Sequence, residues 1–114
     1  MIKWLANVWR NLSHLIRRRD RPFKLSYLEE LPEKPQQGTI YAIGEGTPWA
    51  LALLCPCGCG ALIQLSLLKD ERPSWKMRLD RKGRPTLTPS VWRTAGCRSH
   101  FLVREGRVIW CGSR

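Results

Sequence analysis

The chain has 114 residues, 43% hydrophobic and 25% charged, which suits one folded domain and excludes both a disordered tail and two separately cored domains. No apolar run approaches the roughly 20 residues that a membrane-spanning helix needs. Lys and Arg number 20 against 9 Asp and Glu, a net charge of +11, so the classes of partner to consider are nucleic acid, an anionic membrane surface and an acidic protein face.

Residues 1–24 hold seven of the cations against Asp20 alone, so +6 of the excess sits in the first fifth of the chain. The rest is only moderately basic, which weakens the expectation of nucleic acid as a partner of the body. Within this stretch, residues 2–19 read as an amphipathic helix. Leu5, Val8, Trp9, Leu12, Leu15 and Ile16 recur at three- and four-residue steps and share one face. Arg17, Arg18 and Arg19 suit the negative end of the helix dipole, and Pro22 bars continuation. Such a helix packs on its own domain or lies against an anionic membrane surface or a partner. The start of the chain does not read as a secretory signal, because Asn7, Arg10 and Asn11 interrupt its apolar residues.

Residues 22–38 read as a linker, most clearly over the polar, proline-bearing stretch 29–38. Beyond it the pattern becomes strand-like. Short β-rich or apolar runs cover 39–43, 49–54, 61–68, 74–79, 101–104 and 107–110, with Gly or Pro in the gaps. Turns are expected at Arg81-Lys82-Gly83-Arg84 and at Arg104-Glu105-Gly106-Arg107. Residues 86–90, with Pro89, read as a stiff turn. The fold class is therefore mainly β: a small antiparallel, zinc-stabilised barrel or sandwich over 39–114, preceded by the helix.

Zinc enters through the cysteines. Cys55-Pro56-Cys57-Gly58-Cys59-Gly60 lies between two predicted strands, where Pro and Gly allow a sharp turn. Cys97-Arg98-Ser99-His100 offers a second pair of ligands just before another strand. Two such turns joined by β-structure can supply the four N or S ligands of a tetrahedral zinc. The candidates are Cys55, Cys57, Cys59, Cys97 and His100, with Cys111 joining them if the last strand folds back. A Rieske centre would need two histidines in the paired turns, and the other histidine, His14, lies in the predicted helix. Clustered thiols without a signal sequence point to a reducing compartment, hence a cytoplasmic protein.

There are more candidate ligands than zinc needs. If four cysteines hold the metal, His100 is free to serve as a base. Ser90 is the candidate nucleophile, since a serine gains reactivity from a histidine within hydrogen-bond reach. Asp80 and Glu105 are candidate orienting acids. Ser99 is a poorer nucleophile, because neighbours on an extended chain point to opposite faces. Trp49, Trp75, Trp92 and Trp110 fall on or beside predicted strands and are expected to fill the core. Lys76, Arg78, Arg93 and Arg107 interleave with them, an arrangement that could also stack single-stranded nucleic acid.

Four stretches carry a resemblance: the Cys55–Gly60 turn, Pro85-Thr86-Leu87-Thr88-Pro89-Ser90-Val91-Trp92-Arg93, Cys97-Arg98-Ser99-His100-Phe101, and Gly106-Arg107-Val108-Ile109-Trp110-Cys111. In this order they resemble a small bacterial family of zinc-binding proteins encoded in ubiquitin-like conjugation (Bub-type) operons, beside E1-like and E2-like enzymes. The resemblance spans 49–111. It implies a cytosolic protein whose partners are the ubiquitin-like protein or the E1-like and E2-like enzymes, and a role as the peptidase that trims or removes the modifier. The His-x-His and downstream Asp of JAB-type metallopeptidases are missing here, so Zn2+ would be structural and Ser90 with His100 would carry the chemistry. The alternative is a non-catalytic zinc module that binds a pathway protein or nucleic acid.

Overall fold

The computed structural model describes residues 22–112, and the predicted helix of residues 2–19 lies outside them. Eight strands follow in chain order: β1 (Lys24–Leu28), β2 (Thr39–Ile43), β3 (Ala50–Leu54), β4 (Leu62–Ser66), β5 (Lys76–Leu79), β6 (Pro85–Trp92), β7 (His100–Arg104) and β8 (Arg107–Trp110). They form two four-stranded sheets, β1-β2-β3-β4 and β5-β6-β7-β8, each open at both edges. The architecture is mainly β, as the alternation suggested, but among the described residues no barrel closes. Nor is it wholly antiparallel, since β1 runs parallel to β2.

That parallel pair explains residues 29–38. Two parallel neighbours cannot be joined by a tight hairpin and need a crossover. The polar stretch supplies it, and Lys24–Leu28, just before it, is a strand inside the 22–38 segment that reads as linker. β1 is hard to see because Lys24, Ser26 and Tyr27 dilute its two leucines. Its entry is pinned by the Phe23 amide, which donates to the Gly106 carbonyl of the other sheet at 2.7 Å.

Period-two alternation decides which side chains face the other sheet, although Tyr41, Ile43 and Ala52 are buried on the opposite face of the first sheet as well. Ile40 and Ala42, Leu51 and Leu53, and Ile63 and Leu65 point inward from the first sheet. Leu87, Val91, Phe101 and Val103 meet them from the second. Burying one Leu, Ile or Phe contributes about 1.5–3 kcal/mol, so these ten side chains and Phe23 dominate cohesion. The tryptophans mostly do not join them. Trp75 packs half-buried against this core, but Trp49, Trp92 and Trp110 are more than half exposed.

β6 replaces the expected turn at 86–90. Proline usually demotes a strand because it cannot donate to the ladder. Here Pro85 opens β6, and Pro89 falls where the register with β7 slips. Leu87 pairs with Val103 and Val91 with Phe101, so Thr88, Pro89 and Ser90 stand opposite Leu102 alone. This is a bulge, and it re-aims the side chains it carries. The two predicted turns are present. Asp80 Oδ1 accepts the Lys82 and Arg84 amides at 2.9 Å each, closing the first. Glu105 and Gly106 adopt φ of 51° and 80° in the second, the conformation a two-residue hairpin requires.

Candidate active site and metal centre

The first half of the site is the turn between β3 and β4. The Cys55 amide donates to Ala61 O at 2.8 Å and the Gly58 amide to Cys55 O at 3.1 Å, so the chain doubles back within seven residues. Gly58 and Gly60 make this possible with φ of 90° and 83°, a region that a side chain would strain. Gln37 Nε2, on the crossover, braces the turn through Cys55 O at 3.0 Å. Cys55 is buried, whereas Cys57 and Cys59 are exposed.

The second half is the end of the β6–β7 hairpin. Trp92 pairs with His100, and the Arg93 amide extends the ladder to Ser99 O at 2.8 Å. Directly opposed residues share a face, and successive rows alternate. The Arg93–Ser99 row therefore faces inward, toward the cysteine turn. The Trp92–His100 row faces outward.

On the inward side, Cys55, Cys57, Cys59 and Cys97 bring their sulfurs within 4.8 Å of one another. Cys55 Sγ lies 3.4 Å from Cys57 Sγ and 3.6 Å from Cys97 Sγ. A tetrahedral zinc with Zn–S bonds of about 2.3 Å has sulfur–sulfur edges near ~3.8 Å. The group fits a metal ion, and four soft thiolates in a closed set are compatible with zinc. Among the described residues, neither His100 nor Cys111 belongs to it.

Ser99 is the polar anchor of this cluster. It is 4% exposed and its Oγ lies 3.1 Å from Cys97 Sγ and 3.6 Å from Cys55 Sγ. Its hydroxyl and amide hydrogen bonds hold the Cys97 thiol down to about 5, and desolvation pushes Cys55 up to about 12. Cys57 is also lowered: desolvation works against ionisation there, but hydrogen bonds from Ser99 and Cys55 outweigh it. Arg93 donates through Nη1 to Cys97 Sγ at 3.2 Å and to Cys59 Sγ at 3.6 Å.

On the outward side, Ser90 Oγ and His100 Nε2 lie 2.8 Å apart. The bulge delivers Ser90 to this position, and Trp75 Nε1 holds its carbonyl at 3.3 Å. The His100 ring stacks on Trp92 with centroids 5.0 Å apart and planes inclined by 15°. The Cys111 amide donates to His100 O at 2.8 Å, fixing the backbone beneath the ring. A cleft of about 650 Å³ opens at His100, walled by Trp92, Trp110 and Cys111 and reaching Cys57 and Cys97 of the sulfur group. Ser99, the second candidate nucleophile, points the other way.

The expected orienting acids are elsewhere. Asp80 forms a 2.7 Å ion pair with Arg84, and Glu105 approaches the same guanidinium at 3.7 Å. Antiparallel strands put these turns at the far end of β7, roughly 17 Å along the strand from His100. Among the described residues, no carboxylate bonds to His100, so its ring is oriented by Trp92 and Ser90. Composition could not single out Trp92 or Arg93 for these places. Their signals are that they follow Ser90 by two and three residues, precede Cys97 by five and four, and end one of the four resembling stretches.

The sequence model for the bacterial ubiquitination-like system serine protease (BubE) matches residues 27–111, which include the sulfur group and the Ser90–His100 pair. The chain belongs to the BubE family. The family's description names a serine protease, and the match covers all four stretches that carried the resemblance. No curated protein and no solved structure matches the chain. Among the described residues, no helix is long and apolar enough to cross a membrane.

Proposed function

We propose that this chain is the peptidase that processes or deconjugates the ubiquitin-like protein of its own conjugation system, with Ser90 as nucleophile, His100 as base and a structural zinc. The 2.8 Å contact between Ser90 Oγ and His100 Nε2, beside a cleft, carries the reading. Membership of a family described as serine proteases supports it.

Ser90 Oγ attacks the carbonyl carbon of the modifier's last residue while His100 Nε2 takes the hydroxyl proton. His100 returns that proton to the departing amine, whether the α-amine of a trailing peptide or a lysine ε-amine. The acyl-enzyme is then hydrolysed by a water that His100 activates, which regenerates Ser90. Trp92 keeps the imidazole plane aligned through both transfers.

Cys55, Cys57, Cys59 and Cys97 would hold the metal. When bound, zinc supplies a cross-link between the two sheets, since four protein ligands leave no open position for a reacting water. Thiolate ligands of this kind suit a reducing cytoplasm. The modifier or its E1-like and E2-like enzymes are the partners of this reading.

The test is cleavage of the cognate ubiquitin-like protein fused to a C-terminal reporter. Wild-type protein should release the reporter, and Ser90→Ala should not. A wild-type protein that binds the modifier without cleaving it would favour a non-catalytic zinc module instead.

A further inference from the structure

Arg93 stands where the two halves of the site meet. Its Nη1 donates to Cys97 Sγ at 3.2 Å, on the β6–β7 loop, and to Cys59 Sγ at 3.6 Å, on the β3–β4 turn. Its backbone amide closes the last rung of the β6–β7 ladder through Ser99 O at 2.8 Å. One residue back, Trp92 stacks on His100. Gly96 keeps the space open. Its φ is +68°, which a side chain would strain, and a Cβ there would touch Arg93 Nη2 at 3.4 Å.

The chemistry of four thiolates makes a cation at this place useful. Four thiolates around a divalent ion leave a net charge of −2, which a partly buried site holds poorly unless it is compensated. Hydrogen bonds from outer groups to metal-ligating atoms also fix ligand orientation. Arg93 does both, through one guanidinium nitrogen, Nη1, that reaches one sulfur from each turn.

We infer that Arg93 is a positioning residue that clamps the metal turn to the catalytic hairpin, so that metal binding sets the place of the Trp92–His100 row. Cys59 and Cys97 lie on loops of different sheets, and Arg93, itself part of the hairpin ladder, touches both, as Ser99 across the rung touches Cys97 and Cys55. The Arg93–Ser99 row, which bonds the sulfurs, and the Trp92–His100 row are consecutive rows of the same two strands. A shift of the inward row moves the outward row with it, because successive residues share one backbone.

The inference rests on the zinc-and-dyad reading above, but its first measurement needs no substrate. Zinc affinity is measured by competition with a chromophoric chelator for wild type, Arg93→Ala and Arg93→Lys. Arg93→Ala should weaken zinc by about 10–100-fold, the usual cost of losing an outer-shell partner. Arg93→Lys, which keeps the charge on a shorter side chain, should recover part of it. Peptidase activity of Arg93→Ala should fall with zinc occupancy and return when excess zinc refills the site.

Wild-type zinc affinity in folded Arg93→Ala would overturn the clamp, and Arg93→Gln serves the same purpose if the alanine variant does not fold. Activity that stays low at full zinc occupancy would overturn the route through the metal. A wild-type protein inactive on its modifier, combined with weakened zinc in Arg93→Ala, would sink the peptidase reading and leave the clamp standing.

Discussion

The cysteine turn between β3 and β4 and the end of the β6–β7 hairpin serve one site but are built in opposite ways. In the turn, three sulfurs come from five consecutive residues, and glycines at positive φ close the loop locally. In the hairpin, the contacts that assemble the dyad are cross-strand ones. Ser90 reaches His100 only because β6 bulges at Pro89, and Arg93 meets Ser99 only because the ladder continues one rung past Trp92. A local motif tolerates error elsewhere in the fold, whereas a register-built one does not. A one-residue slip would exchange the two faces and put His100 among the sulfurs.

The sharpest break in this comparison is at Ser90. Ser90→Ala removes one hydroxyl from the bulge, so zinc content and thermal melting should stay close to wild type while cleavage of the ubiquitin-like precursor falls on the order of 10³-fold or more. His100→Ala should do the same and keep one zinc per chain. Loss of zinc in that variant would make His100 a ligand, contrary to its place outside the four-sulfur group.

Removing the metal attacks the other region. A core this small gains much of its cohesion from a cross-link between sheets, so a strong chelator should lower Tm sharply or unfold the chain. Replacing Cys97 by Ser should mimic the chelator, because Cys97 is the one sulfur that the hairpin contributes. Replacing Cys111 by Ser should leave zinc bound. A chelated protein that melts within a few degrees of the untreated one would show that the sulfurs hold no structural metal.

Thiol reactivity in the metal-free protein sharpens the comparison further. Cys97 sits near 5 and Cys55 near 12, so at neutral pH Cys97 is thiolate and Cys55 is thiol. Iodoacetamide should alkylate Cys97 well before Cys55, read by peptide mass mapping. The lowered Cys97 contributes stability that is fully present above its ordinary value of 9.0 and lost as pH falls through about 5. The raised Cys55 contributes stability that is present below 9.0 and lost as pH rises through about 12. For these two thiols together, the metal-free fold is most stable near the ordinary thiol value. Faster modification of Cys55 than of Cys97 would contradict the environment assigned to both.

The smallest effect is expected at Trp92. Its stack on His100 is of a kind worth about 0.5–1.5 kcal/mol. Trp92→Ala should therefore lower kcat by roughly 3–10-fold, with KM changing less, and Trp92→Phe should restore most of it. A Trp92→Ala enzyme with unchanged kcat and a raised KM would make Trp92 a wall of the cleft rather than a support for the base.

Much of this molecule is legible from its residues. Alternation and glycine placement identify six of the strands and both tight turns, because a pleated strand with one buried face leaves a period-two pattern. The sulfur cluster is legible for a similar reason, since three of its ligands are local and the fourth begins a Cys-x-x-His pair. β1 and β6 are not. The first is short and diluted by polar residues, and the second contains two prolines that normally argue against a strand. Trp92 and Trp110 mislead as well, because hydrophobic bulk predicts burial, yet here both stand exposed at the cleft.

Residue chemistry by itself determined which side chains this protein could use: soft sulfurs at turn spacing, a serine, a histidine and a surplus of cations. The tertiary structure decided which of them meet. Only the register of β6 against β7 separates an inward row that tends the sulfurs from an outward row that bears the base. Only the antiparallel run of β6 and β7 puts the turns that hold Asp80 and Glu105 at the end of the hairpin away from His100. These are long-range pairings, set by where the hydrophobic faces of two sheets come to rest, and no local spacing encodes them.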